Sequence, residues 1–149
     1  MYQITKKYFF NAAHSLPSLP EGNKCYNLHG HNYTLEICLE SDWLDDHGMI
    51  VDFADIDWVV NPLIKKVDHS NLNDLFDFPT TSENLAKWFY ETINTVDIHT
   101  KKEEEKPKGI KPKIKAPVRI IHIKHRYLPL KWVSVSETDK TKAIWRPAA

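Results

Sequence analysis

From Asn32 to Ser41 the chain alternates without a break: Tyr33, Leu35, Ile37 and Leu39 are apolar, while Asn32, Thr34, Glu36, Cys38 and Glu40 fall between them. A helix would scatter those apolar groups around its circumference. A strand puts them all on one face. The pattern therefore predicts a strand in an antiparallel sheet with one face packed on a core. It leads directly out of His29-Gly30-His31, so both imidazoles would lie side by side on one face if the strand extends backward. Cys25 precedes His29 by four residues.

Tyr2 to His14 reads as another strand, with Tyr8, Phe10, Ala12 and His14 on one parity. Pro17, Pro20 and Gly22 mark the following stretch as a loop that returns the chain to Cys25. After a turn-rich link, Asp52 is placed to cap a helix. Phe53, Ile56, Val59, Val60, Leu63 and Ile64 recur at helical spacing, and Pro62 predicts a kink or break there. A second helix begins near Thr80 or Thr81, with Thr80 and Glu83 available as a capping box and Leu85, Trp88, Phe89 and Ile93 as its apolar stripe. Val118 to Tyr127 and Lys131 to Thr138 read as two further strands forming a hairpin. The order ββααββ gives an α+β fold: a four-stranded antiparallel sheet with two helices on one face.

A chain of 149 residues, 42% hydrophobic and 27% charged, suits one domain, here residues 1–149. No apolar run reaches the roughly 18–20 residues of a membrane span, and no secretory signal is visible at the N-terminus. Two cysteines are too few for a disulfide scaffold, so a reducing cytoplasm is the expected compartment. The net charge of zero hides a basic block: between Lys101 and Arg126, ten Lys or Arg stand against three Glu. Such a block can attract polyanions. Its Pro- and Gly-punctuated, lysine-rich first part, about residues 100–117, reads instead as a solvated, flexible insertion.

His14, at the end of the first strand, can join His29 and His31 on a divalent metal. Three imidazoles leave a fourth position for water or substrate, the arrangement of catalytic zinc. Cys25 has two readings, a fourth ligand closing the site or a nearby unligated thiol acting as base or nucleophile. Cys38 reads as a packing residue. His47, His99, His122 and His125 lack a comparable grouping. Asp68-His69 sets a carboxylate beside an imidazole, which by itself reads as an exposed turn. Glu137 continues the apolar face of Val133 and Val135, and an inward carboxylate needs a partner, either a lysine or the donor edge of a ligand.

Six motifs occur in order: Phe9-Phe10-Asn11-Ala12-Ala13-His14, Cys25-x-x-x-His29-Gly30-His31, Val51-Asp52-Phe53, Asp68-His69-x-x-Leu72-Asn73, Pro79-Thr80-Thr81-Ser82-Glu83-Asn84-Leu85 and Val135-Ser136-Glu137-Thr138. With them the chain resembles the 6-pyruvoyltetrahydropterin synthase superfamily, and most the bacterial 6-carboxytetrahydropterin synthases of queuosine biosynthesis. The resemblance implies a tunnelling fold, with Zn2+ held by His14, His29 and His31. It implies Cys25 as catalytic base, His69 assisted by Asp68 as proton-transfer partner, and Glu137 as anchor of the pterin ring. Thr81 and Ser82 would bind substrate, with the segment Thr80 to Glu83 arriving from a neighbouring subunit of a homo-hexamer built from two stacked trimers. The implied reaction is a carbon–carbon lyase step converting 7,8-dihydroneopterin triphosphate to 6-carboxy-5,6,7,8-tetrahydropterin, acetaldehyde and triphosphate. One alternative is a 6-pyruvoyltetrahydropterin synthase, which eliminates triphosphate and keeps the side-chain carbons. The other is a non-catalytic zinc protein that binds polyanions through Lys101 to Arg126. The resemblance implies neither a membrane nor a nucleic-acid partner.

Overall fold

The computed structural model describes residues 1–98 and 127–149. The lysine-rich insertion and the strand expected from Val118 lie outside the described residues, as do His99, His122 and His125. The described chain runs β1 (Tyr2–His14), a single 3-10 turn (Lys24–Tyr26), β2 (His29–Ser41), α1 (Phe53–Val67), β3 (Ser70–Asn71), α2 (Leu72–Leu75), α3 (Ser82–Ile93), β4 (Leu130–Thr138) and β5 (Thr141–Trp145). The expected α+β architecture is present. The sheet differs in detail: among the described residues it has five strands, in the order β3-β1-β2-β4-β5. The partner of β4 in a hairpin is β5, drawn from the C-terminal segment, and a two-residue β3 pairs in parallel with the end of β1.

Alternation decides the two faces of this sheet. Tyr8, Phe10 and Ala12 of β1, Tyr33, Leu35, Ile37 and Leu39 of β2, and Val133 and Val135 of β4 are all buried. Against them pack Ile56, Val59, Val60 and Val67 of α1 and Leu85, Ala86, Phe89, Tyr90 and Ile93 of α3. Each fully buried aliphatic or aromatic side chain is worth about 1.5–3 kcal/mol, so these faces dominate the stability of the fold. Asp52 caps α1 as expected, accepting from the Ala54 amide at 2.8 Å. Thr81, not Thr80, caps α3 by accepting from the Asn84 amide.

Helix α1 continues through Pro62 to Val67, so of the kink or break expected there the break does not occur. One missing N–H costs less than the buried stripe on either side supplies. Pro62 itself is solvent-exposed, so nothing is lost from the core by replacing it. Pro62→Ala is expected to stabilise the fold by about 1–2 kcal/mol, the helical penalty of proline less its effect on the unfolded chain. A higher urea midpoint at unchanged slope is the signature. No helix among the described residues is long and apolar enough to cross a membrane.

Candidate active site

Strand register builds the first cluster. β1 and β2 pair along their whole length, and His14 lies directly opposite His29. Two residues along β2, His31 emerges on the same face opposite Ala12, whose methyl group leaves room for an imidazole. The three rings stand edge-on to one another, with centroids 4.7–5.2 Å apart. One ring nitrogen from each lies within 4.8 Å of the others. Cys25 is not part of this donor set. It sits half-buried in the 3-10 turn, with Asn23 Oδ1 accepting from its amide at 2.9 Å.

The hydrogen bonds around the rings fix what they offer. His14 Nδ1 lies 2.9 Å from the Thr80 carbonyl oxygen, and His29 Nδ1 lies 2.8 Å from that of Asn27. A carbonyl can only accept, so in each ring Nδ1 carries the proton and Nε2 carries the lone pair. Those two Nε2 atoms face each other at 3.1 Å. Two acceptors at that distance repel unless a cation lies between them. His31 Nε2 is buried and has no hydrogen-bond partner. Burial, chiefly, holds His14 and His31 below the ordinary imidazole range, so both are neutral at neutral pH. Outer Nδ1–H groups tied to backbone oxygens, as in His14 and His29, and ring nitrogens of all three histidines converging are what a metal site built from histidines requires. The donor set fits zinc.

Glu137, near the end of β4, places its carboxylate oxygens 3.8 Å from His14 Nε2 and 3.7 Å from His31 Nε2. Thr81, Ser82, Glu83, Thr141 and Lys142 line a pocket of about 380 Å³ together with Glu137. One chain thus brings the start of α3 to Glu137 in a single pocket. The reason is Thr80: it is fully buried and its carbonyl and hydroxyl both meet His14 Nδ1, which ties the entry of α3 to the imidazole cluster.

Asp68 and His69 behave differently from an ordinary turn. His69 adopts φ 54°, a left-handed backbone uncommon outside glycine. That conformation lets adjacent side chains approach, and Asp68 Oδ2 stands 3.6 Å from His69 Nε2. The backbone is held there because His69 N–H donates to the Asn11 carbonyl and Asp68 Oδ1 accepts from the Asn11 amide at 2.8 Å. The His69 side chain is 78% exposed and borders a groove also lined by Asn11, Ala13, Gly30, His31 and Asn32. By strand parity, the side chains of Asn11, Ala13 and Asn32 leave the sheet on the face opposite the three imidazole side chains. Among the described residues, the three imidazoles contact one another and not His69.

Spacing could not have found Thr80 as a partner of His14, because 66 residues separate them. It also missed the wall that β5 adds beside Glu137. Cys38 is fully buried in β2, as a packing residue should be.

A family model described as 6-pyruvoyl tetrahydropterin synthase matches residues 3–111. The chain belongs to that family. Relatives named 6-carboxy-5,6,7,8-tetrahydropterin synthase include one from Aquifex aeolicus, 32% identical over 127 residues, covering 62% of this chain and 78% of the relative. A Pyrococcus furiosus relative named dihydroneopterin monophosphate aldolase is 39% identical over 91 residues, covering 61% of this chain and 74% of its own. The match to an Archaeoglobus fulgidus relative, 40% identical over 77 residues, spans 63% of that protein, under two thirds of its length. In fold, the chain is similar to the structure of Caenorhabditis elegans 6-pyruvoyl tetrahydropterin synthase, with a TM-score of 0.70 at 24% identity over 99% of this chain and 96% of that one.

Proposed function

We propose that this member of the family is a zinc-dependent carbon–carbon lyase of queuosine (7-deazaguanine) biosynthesis. It would convert 7,8-dihydroneopterin triphosphate and water to 6-carboxy-5,6,7,8-tetrahydropterin, acetaldehyde and triphosphate. The observation that carries the reading is the convergence of three imidazole nitrogens, with the carboxylate of Glu137 3.7–3.8 Å from two of them. Relatives named for this product at 32–36% identity support the choice of reaction. When bound by His14, His29 and His31, zinc supplies Lewis acidity toward the hydroxyls of the substrate side chain.

The chain's own residues then take separate tasks. Glu137, acceptor-only when ionised, receives the N–H donors at one edge of the pterin ring. Thr81 and Ser82, at the start of α3, line the same pocket and orient the ring. Cys25 removes a proton from carbon and His69 exchanges one with oxygen, with Asp68 holding the imidazole. The exposure of His69, which among the described residues makes no ring contact with the three imidazoles, supports a site completed between subunits of a homo-hexamer of two stacked trimers. On this reading the protein is one tunnelling-fold domain working in the cytoplasm.

Incubation with dihydroneopterin triphosphate and analysis of every product is the deciding experiment. Acetaldehyde and a 6-carboxy pterin in equal amounts are expected. Triphosphate release with all side-chain carbons retained would identify a 6-pyruvoyl synthase instead. Turnover of the monophosphate but not the triphosphate would favour the activity named for the Pyrococcus furiosus relative.

A further inference from the structure

The end of β1 is the junction on which the proposed site residues depend, and pairing with β2 holds only one of its edges. Along the other edge, the segment 68–73 follows β1 residue by residue. Asp68 Oδ1 and the His69 amide take the two backbone groups of Asn11. Ser70 and Asn71 pair with Ala12 and Ala13. There the regular pairing stops, and Ser15 lies beyond the end of both ladders.

The backbone of Ser15 is nevertheless satisfied, and by one side chain. Asn73 Oδ1 accepts from the Ser15 amide at 2.8 Å, and Asn73 Nδ2 donates to the Ser15 carbonyl at 2.9 Å. Only one orientation of the amide meets both groups, and in it the side chain imitates one more residue of a strand. Asn73 is itself placed by the single turn of α2, where Asn71 Oδ1 accepts from its amide at 3.1 Å. On one side of the clamped residue stands His14. On the other, the Leu16 amide donates to the carbonyl of Cys25 at 2.8 Å. A shift of Ser15 would therefore move an imidazole of the donor cluster and the turn that carries the thiol.

We propose that Asn73 is a positioning residue: by clamping both backbone groups of Ser15, it holds His14 and Cys25 in place relative to the segment that carries Asp68 and His69. The proposal rests on the assignment of those four as site residues, and its test does not use pterin turnover. A protein inactive on pterins would overturn the proposed function and leave this test standing.

The probes are Co2+ added to metal-free protein, read by its visible spectrum, and an aromatic disulfide reagent that labels thiols. Cys38, fully buried, serves as the internal control. Asn73→Ala, which loses both bonds, is expected to weaken Co2+ binding about tenfold or more and to change the rate at which Cys25 is labelled. Asn73→Asp keeps the acceptor for the Ser15 amide and loses the donor, so it should fall between the wild type and Asn73→Ala in both measurements. A residue that only supported the fold would lower the unfolding midpoint and leave the folded protein's cobalt spectrum and Cys25 labelling unchanged. That result in both variants overturns the proposal. Should neither variant fold, amide exchange in the wild type decides. Exchange at Ser15 as slow as within β1 supports the clamp, and exchange as fast as in the loop after it overturns it.

Discussion

Cys25→Ala is expected to keep stoichiometric zinc and to lose turnover of dihydroneopterin triphosphate by about 10²–10⁴-fold, the range a positioned general base contributes. The two halves of that expectation have separate causes. The donor cluster consists of His14, His29 and His31 without the thiol, so removing sulfur leaves the metal's ligands in place. The 3-10 turn is held by Asn23 and Leu16 through the backbone of Cys25, so its path does not depend on the side chain. Metal content measured alongside acetaldehyde release checks both. Full turnover in the zinc-loaded variant would remove Cys25 from the chemistry, and loss of zinc would return it to the ligand set.

His31→Ala is expected to do the reverse, abolishing retention of zinc through dialysis and with it all but about one part in 10³ of the activity. A metal acting as Lewis acid supplies several kcal/mol, and each 1.36 kcal/mol is tenfold in rate. His31 is the better test than His14. His14 is almost completely buried against Thr80, and deleting it would damage packing as well as ligation. His31 lies partly open to solvent opposite the small Ala12. The measurement is zinc per chain, with circular dichroism to show that the variant is folded. Wild-type turnover in a metal-free preparation would refute a metal-dependent reaction altogether.

Much of the fold was legible because alternation is a property of neighbouring residues. β1 and β2 were expected in place, and β2 proved three residues longer at its start, which brought His29 and His31 into the strand. β5 was not legible. Thr141 to Trp145 carries little apolar periodicity of its own, and only pairing with β4 makes it a strand. Pro62 does not end α1, because the burial of Ile56, Val59, Val60 and Val67 outweighs its local penalty.

The same division applies to the candidate site. His14, His29 and His31 could be read together because strand parity and one hairpin-like return suffice to place them. The clustering of His14 with Thr80, of Glu137 with Thr81 and Ser82, and of Asn73 with Ser15 could not, since each contact joins segments more than 50 residues apart. The left-handed backbone of His69 was equally hidden, because it is imposed by hydrogen bonds to Asn11 and not by the residue itself.

Neighbouring residues along the chain already carry β1, β2 and β4, the helical stripes, the family and the residue types available for chemistry. These follow from short-range periodicity and from motifs in order. Only the tertiary structure decided which nitrogen of each imidazole faces inward, that the thiol stands outside the donor cluster, and that α3 reaches Glu137 within one chain. Those are questions of hydrogen-bond partners and distances across the sheet, and no spacing along the chain encodes them.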